Sequence, residues 1–272
     1  MNAIPILTYH ALHAPGWEYH SNDHVAFAAD LALLRELGFR VVSLRQIVDA
    51  LVGGSLNELS QHRVVGISFD DGTDHDWIDY SHPGWGSLRS MATILRVDGA
   101  GMGLNGESAS GTSFVIVSPD ARDQLDQACS AGRGQWQDSW WKQANDSGLL
   151  TIANHSWDHL HPALEEVRHS RNVRGDFCQI DNECDADSQV LEAEHYLVER
   201  LGKSEGLFAY PFGHVAPYLR DHYFPNGNCG IDAAFATGGS HCTARSSRWA
   251  IPRWVCQEHW NSPEQLRDLL SK

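Results

Sequence analysis

Apolar runs of strand length alternate with amphipathic stretches of helix length along most of the chain. The run "IPILTYH" predicts a first strand, and "HVAFAADLALLRELGF", with apolar residues at helical spacing, predicts the helix that follows it. Further runs of strand length are "RVVSL", "RVVGISF", "TSFVIVS", "LLTIANH", "GLFAYPF", "DAAFATG" and "WAIPRWV". Such alternation is typical of βαβ units. It therefore predicts an α/β fold, either a doubly wound sheet or a (β/α) barrel.

The chain shows no sign of division into domains. No Pro/Ser linker, repeat or break in composition interrupts its 272 residues, so we expect residues 1–272 to form a single domain. Further helices are predicted at "LRQIVDALVGG", "QWQDSWWKQAND", "DADSQVLEAEHYLVERLG" and "VAPYLRDHYF". The Gly-rich residues 98–111 predict a long surface loop.

Charge and cysteine content limit the partners and the compartment. With 35 Asp and Glu against 20 Lys and Arg, the net charge of −15 argues against nucleic acid or an anionic membrane surface as a partner. The six cysteines form no CxxC pair, which predicts free thiols in a reducing compartment. The start "MNAIPILTYHAL" does not resemble a signal peptide, so we expect a cytoplasmic protein, although an export signal removed from the sequence would leave the same start.

Polar residues that suit catalysis follow several of the predicted strands. In both candidate folds, ligands bind at the carboxyl ends of the strands. The polar residues found at those ends are His10, Asp70, Asp71, His155, His159 and residues 210–213. A carboxylate with two imidazoles suits a divalent transition metal such as zinc.

Each of these signals is weak by itself. His155 and His159 would share one face if their segment turned helical, but HxxxH is equally typical of solvated or buried structural histidines. Two adjacent acids before glycine, as in Asp70 and Asp71, are also typical of a helix cap or turn. The combination and order of the segments carry the functional prediction.

The segments "SFDDG", "NHSWDHLHP" and "FAYPFG", in this order, resemble the polysaccharide deacetylase family, which is carbohydrate esterase family 4. The opening "YH" strand is most similar to the branch that includes poly-N-acetylglucosamine deacetylases, and the resemblance covers nearly the whole chain. It implies a distorted (β/α) barrel of about seven strands. It also implies a metal-dependent amide hydrolase that removes N-acetyl groups from an N-acetylated sugar or polysaccharide.

The resemblance also implies roles for individual residues. Asp71, His155 and His159 would bind one divalent metal, with zinc expected first and cobalt, nickel or iron as alternatives. Asp70 would be the general base for a water molecule activated by that metal. The backbone N–H of Phe212 would help to stabilise the oxyanion.

The sequence departs from the family pattern at two places. The commonest form of the "FAYPFG" motif begins with arginine where this chain has Ala209, and we expect Arg253 of "IPRW" to replace it as the partner of the base. The C-terminal Leu-x-His that supplies the general acid in many members is missing. We expect His10 to take that role, with the alternative that it only packs at the rim of the barrel.

Four residues are expected to bind substrate. Tyr210 and Pro211 belong to the "FAYPFG" motif, and Trp77 and Trp85 flank the stretch after the acidic pair, where tryptophan can stack on a sugar ring. The alternative for any one tryptophan is a place in the core.

Two further functions remain open at this stage. Relatives with this barrel open cyclic imides or ureides, so a small amide is the alternative substrate. The missing arginine and histidine of the family pattern leave an inactive carbohydrate-binding protein as the second alternative. No heptad or apolar stripe predicts the oligomeric state.

Overall fold

Parallel strands and helices alternate through residues 3–82 and 86–271, which are the residues that the computed structural model describes. In chain order, strands β1 to β13 are Ala3–Ile4, Ile6–His10, Arg40–Val42, Val64–Asp70, Tyr80–His82, Gly86–Leu88, Gly111–Val115, Leu150–Asn154, Leu207–Ala209, Ala233–Ala236, Cys242–Thr243, Ile251–Pro252 and Trp254–Val255. Helices α1 to α9 are Asp23–Glu36, Leu44–Val52, Leu56–Ser60, Met91–Val97, Pro119–Cys129, Trp141–Asp146, Glu183–Ala186, Glu192–Leu201 and Pro263–Leu270. The sequence-based expectation of an α/β fold is confirmed.

The main sheet is a nearly closed barrel. Its strand order is β12-β10-β9-β8-β7-β4-β2-β13, with β3 also paired to β4, and every pairing in it is parallel. The two strands at the ends, β12 and β13, belong to one stretch of chain that is interrupted at Arg253. This stretch therefore pairs with β10 on one side and with β2 on the other, which confirms the distorted barrel of about seven strands.

The sequence of strand β4 shows why this segment forms part of the barrel sheet. All seven of its residues are buried, as expected for a strand covered on both faces. Gly66 lets helix α2 approach closely, since a Cβ atom there would lie 2.7 Å from Leu44 and 2.8 Å from Ile47. A capping box of Ser43 and Gln46 starts that helix.

An aromatic cluster supports the two strands that end at the predicted site. The Tyr9 ring of β2 lies 4.8 Å from Phe27 of α1 and 5.7 Å from Trp260, and Phe27 lies 5.3 Å from Phe69 of β4. All four side chains are almost fully buried. Burial of each side chain contributes about 1.5–3 kcal/mol to the free energy of unfolding, so this packing stabilises the ends of β2 and β4.

Several local expectations need correction. The stretch "VAPYLRDHYF" is helical from Pro217 onwards, as predicted, but its central part, Leu219–Tyr223, is a π-helical turn. The helix expected at "QWQDSWWKQAND" begins only at Trp141. Helices α4, α5 and α9 and the hairpin of β5 and β6 were not predicted. Residues 98–110 contain neither helix nor strand beyond an isolated bridge at Gly103, in agreement with the predicted loop. Across the described residues, no helix is both long and apolar enough to span a bilayer.

Candidate active site

The polar residues at the strand ends meet in a cleft of about 240 Å³ at the carboxyl end of the barrel. We call it the acid–histidine cleft. It is lined by His10, Asp70, Asp71, His155, His159 and Phe212, among others. The barrel thus brings together residues from β2, β4 and the turns after β8 and β9.

A left-handed turn places both acids at the cleft. Side chains along a strand point alternately to opposite faces, so two consecutive residues of a regular strand would diverge. Asp70 ends β4, and Asp71 and Gly72 then adopt φ values of 77° and 74°. A Cβ atom on Gly72 would lie 2.4 Å from a methyl carbon of Val115, so glycine is required there by space as well as by backbone conformation.

Asp70 forms an ion pair with Arg253, the partner expected from the sequence. The guanidinium donates two hydrogen bonds to the carboxylate, at 2.6 Å to Oδ1 and 2.8 Å to Oδ2, and a third at 3.1 Å to the Ser68 hydroxyl. Both side chains are buried. Burial alone would raise the pKa of Asp70, but Arg253 and, to a smaller extent, His155 outweigh it and lower this pKa to about 2. Asp70 is therefore ionised at neutral pH.

The two histidines come together through a turn and not through a helix, which corrects the helical alternative. Ser156, His159 and Leu160 all have positive φ values, and the Ser156 hydroxyl accepts a hydrogen bond from the His159 backbone N–H at 2.9 Å. The His155 and His159 rings lie 4.8 Å apart between centroids. The spacing of four residues thus produces proximity by a different backbone path.

One ring nitrogen of each histidine faces Asp71. Nε2 of His155 lies 3.7 Å from Asp71 Oδ1, and Nε2 of His159 lies 3.8 Å from the same atom. Nδ1 of His155 contacts the Ala209 carbonyl at 2.8 Å, and because a carbonyl only accepts, the proton belongs on Nδ1 and Nε2 keeps its lone pair. Burial lowers the pKa of both histidines and favours neutral rings.

This donor set fits a divalent cation. One ligand atom from each of Asp71, His155 and His159 lies within 4.8 Å of the other two. In a tetrahedral zinc site with bonds of about 2.0–2.2 Å, ligand atoms lie about 3.3–3.6 Å apart, so the observed contacts need to shorten by only a few tenths of an ångström. Neutral imidazoles and a carboxylate are also the forms in which these side chains bind metals.

His10 and Phe212 both line the acid–histidine cleft. His10 lies beside Asp70 in the register of β2 and β4, and its backbone N–H donates to Asp23 at 2.8 Å. Phe212 follows β9 with a φ value of 58°, and its ring lies 4.3 Å from that of His159. Both residues are therefore within the predicted site, and their assigned roles stay predictions.

The structure places three of the four predicted substrate-binding residues away from the lining. Tyr210 is fully buried and donates its hydroxyl hydrogen to the Trp249 carbonyl at 2.9 Å, and Pro211 is buried next to it. Trp77 is half-buried against the core cluster that contains Tyr9. These side chains pack rather than face the cleft, and Trp85 lies outside the described residues.

Among the described residues, sequence reasoning missed three polar ones that line the cleft. Thr237 follows β10 directly, and Glu258 follows β13 after two residues, so the rule that found the other strand ends would have found them. His161 belongs to the segment "NHSWDHLHP" but was given no role, and it also lines the cleft, with its ring 5.7 Å from that of His159.

The two residues that follow His10 line a second cleft, of about 280 Å³. We call it the Trp17 cleft. Its lining includes Ala11, Leu12, Trp17, Tyr80 and Arg133. The Trp17 side chain is 40% exposed, and Arg133 donates a hydrogen bond to the Tyr80 hydroxyl at 2.9 Å. The Trp17 cleft therefore offers a partly exposed aromatic side chain and polar groups, and two of its lining residues directly follow His10 in the chain.

Together, the barrel and the cleft define a (β/α) barrel protein with a carboxylate–imidazole centre at the carboxyl ends of its strands. No family model and no curated protein matches the sequence. Among solved structures, IcaB from Ammonifex degensii matches with a TM-score of 0.66 and 21% identity, over 99% of this chain and 97% of that one. The Streptococcus pyogenes deacetylase PplD in complex with acetate matches with a TM-score of 0.67 and 18% identity, over 98% of each chain.

A polysaccharide deacetylase from Bacillus cereus is a further match, with a TM-score of 0.65 and 18% identity, over 98% of this chain and 69% of that one. At these identities the similarity establishes the fold. The chain has the barrel fold of polysaccharide deacetylases, and the resemblance noted in its motifs is confirmed at that level.

Proposed function

We propose that this protein is a metal-dependent amide hydrolase that removes N-acetyl groups from an N-acetylated carbohydrate. The observation that carries the proposal is the convergence of Asp71, His155 and His159 beside an ionised, arginine-paired Asp70 in one cleft. The fold supports it, because the matching structures include deacetylases, one of them in complex with acetate. Acetate is the acid product that such a hydrolysis would release.

Asp71, His155 and His159 would hold one divalent cation. Zinc is the metal that we expect first, and cobalt, nickel and iron accept the same carboxylate and two imidazoles. When bound, such a cation polarises a carbonyl group and lowers the pKa of water.

Asp70 would accept a proton from the water molecule that attacks the amide carbonyl. Its low pKa keeps the carboxylate ionised over the whole neutral range, and the two hydrogen bonds from Arg253 fix its orientation. Because both carboxylate oxygens accept hydrogen bonds from this guanidinium, the Asp70 side chain is held against rotation. Asp70 therefore meets the positional requirement for a general base.

His10 and Phe212 would complete the reaction. The backbone N–H of Phe212 would donate to the oxyanion that forms as water adds to the carbonyl carbon. The C–N bond then breaks, and His10 would give a proton to the departing amine. The products are acetate and an amino sugar, and both residues line the cleft in which Asp70 lies.

The Trp17 cleft favours an oligosaccharide over a small cyclic amide as the substrate. It adjoins the acid–histidine cleft along the chain, because His10 lines one and Ala11 and Leu12 line the other. A sugar ring bound next to the reacting one would find the apolar face of Trp17 there. A small imide would make no use of this second cleft.

Acetate release from N-acetylglucosamine monomers and oligomers tests the proposal, with a cyclic imide assayed in parallel. We expect zinc-dependent acetate release that increases with oligomer length and is abolished in Asp70→Asn. Ring opening of the imide without acetate release would contradict the substrate class. Tight oligosaccharide binding by zinc-loaded protein without turnover would favour the inactive binding protein instead.

A further inference from the structure

A second group of metal-binding side chains lies outside the proposed catalytic triad of ligands. It consists of Asp176, Cys178 and His214, and we call it the Cys178 cluster. Asp176 and Cys178 belong to the turn around the 3-10 segment Phe177–Gln179, and His214 follows directly on the turn Pro211–Gly213. Two separate loops of the barrel rim therefore contribute to it.

The three donors are close enough to share one cation. One ligand atom of each residue lies within 4.8 Å of the other two. Asp176 Oδ1 is 3.5 Å from His214 Nδ1, which is the separation expected between two ligands of one tetrahedral zinc ion with bonds of about 2.0–2.2 Å. A carboxylate, an imidazole and a thiolate are all established zinc ligands, and the sulfur makes the set softer than that of the acid–histidine cleft.

His214 provides a second observation in favour of a ligand. Its Nδ1 atom is almost inaccessible to solvent and has no hydrogen-bond partner among the described residues, although it faces the Asp176 carboxylate. A buried polar atom without a partner is unusual in a folded protein and calls for an explanation. A cation between Asp176 and His214 would supply the missing partner.

The interactions of the Cys178 thiol leave it accessible to a cation. Its sulfur makes a weak contact, 3.8 Å from the Val215 carbonyl, and interacts with the Asp176 carboxylate of the same cluster. The residue is exposed, so a cation can reach it from solvent. Burial and then the Asp176 carboxylate raise the pKa of the Cys178 thiol. A cation held between the two groups would reverse the effect of Asp176, because it would neutralise the charge that disfavours the thiolate.

We propose that Asp176, Cys178 and His214 bind a second, thiophilic divalent cation of the zinc type, separate from the cation of the acid–histidine cleft. The cation would join the Asp176–Cys178 turn to the segment that carries Phe212. The Phe212 ring lies between the two groups, 4.3 Å from His159 and 5.4 Å from His214. The second cation would thus fix the loop that forms one wall of the cleft, and binding would release the thiol proton to solvent.

Cobalt binding to the metal-stripped full chain separates the two sites. Cobalt bound to a thiolate shows a sulfur-to-metal charge-transfer band in the near ultraviolet, and the donors of the acid–histidine cleft contain no sulfur. We expect the wild-type chain to bind two equivalents of cobalt and to show this band. Cys178→Ser should bind one equivalent and lose the band, and His155→Ala should bind one equivalent and keep it.

Cys184→Ser is the matched control, because Cys184 is also an exposed free cysteine but belongs to neither metal-binding group. It should keep both equivalents and the band. His214→Gln should lose the band, which tests the site without altering any sulfur. A band that persists in Cys178→Ser, or a wild-type chain that shows no band at saturating cobalt, would overturn the proposal. The readout does not depend on catalysis, so its outcome is independent of the proposed deacetylase activity.

Discussion

Replacement of Arg253 by glutamine tests whether this guanidinium alone keeps the buried Asp70 ionised. Arg253 is fully buried and donates two of its hydrogen bonds to Asp70, at 2.6 and 2.8 Å. Removal of one partner of a buried ion pair leaves an uncompensated charge and costs about 3–5 kcal/mol. We expect a loss of that size in the free energy of unfolding for Arg253→Gln.

A double-mutant cycle separates the ion pair from general damage to the core. Unfolding in urea would be followed by tryptophan fluorescence on metal-stripped wild type, Arg253→Gln, Asp70→Asn and the double variant at neutral pH. The double variant contains neither buried charge, so its loss should be smaller than the sum of the two single losses by at least about 2 kcal/mol. Losses that add to within about 0.5 kcal/mol would show that Arg253 and Asp70 are not coupled and would refute the reasoning.

The same substitution should affect catalysis through the base. Without Arg253, burial is less opposed and the pKa of Asp70 rises from its value of about 2. In zinc-loaded Arg253→Gln we expect the acidic limb of the pH–rate profile to move to higher pH. We also expect acetate release to fall by a factor of about 10² or more, the usual contribution of a positioned general base.

Three further predictions follow from single features of the structure. Gly72→Ala should destabilise the chain by about 2–5 kcal/mol in urea unfolding, since it places a side chain at a φ value of 74° and against Val115; an unchanged midpoint would contradict that geometry. Trp17→Ala should raise KM about fivefold for an N-acetylglucosamine tetramer but not for the monomer. The reason is that the tetramer would cover about 40 Å² of the Trp17 ring, which stabilises its complex by about 1 kcal/mol. Equal effects on the KM of both substrates would show that the Trp17 cleft does not bind the tetramer. In metal-stripped protein, the pKa of Asp70 is lowered to about 2 from 3.8, so the ionised Asp70 contributes about 2 kcal/mol to the free energy of unfolding. This contribution is fully present above about pH 4 and is lost as the pH falls towards 2. Asp70→Asn should lack this pH-dependent contribution when the urea midpoint is measured as a function of pH in acid.

The sequence predicted the elements whose signals are local and strong. Strand β4 is a continuous apolar run, and the apolar residues of α1 recur at roughly helical spacing, so both were found with nearly correct bounds. The rule that ligands bind at the carboxyl ends of strands located His10, Asp70 and the histidines of the cleft. Expectations failed where the signal was short, as in α9, whose Ser262 cap and first-turn proline are visible in the sequence but precede only eight residues.

The geometry of the site depended on backbone conformations that the sequence did not reveal. The positive φ value of Asp71 turns its carboxylate to the same cleft as that of Asp70. Aspartate adopts this conformation more readily than most residues, but the sequence does not show which aspartate does so. His155 and His159 meet through a turn that periodicity could not distinguish from a helix. Tyr210 belongs to the "FAYPFG" motif, but its hydroxyl group donates a hydrogen bond to the Trp249 carbonyl in the core. Such a long-range contact cannot be predicted from a local sequence pattern.

The division of roles between Asp70 and Asp71 is the central claim, and a joint measurement of metal content and turnover tests it most directly. Purified, zinc-loaded Asp70→Asn and His155→Ala would each be compared with the parent in a Cys178→Ser background, so that only the acid–histidine cleft is counted. We predict one equivalent of zinc and no acetate release for Asp70→Asn, and loss of both zinc and acetate release for His155→Ala. Equal loss of zinc in the two variants, or acetate release that survives in Asp70→Asn, would contradict the account.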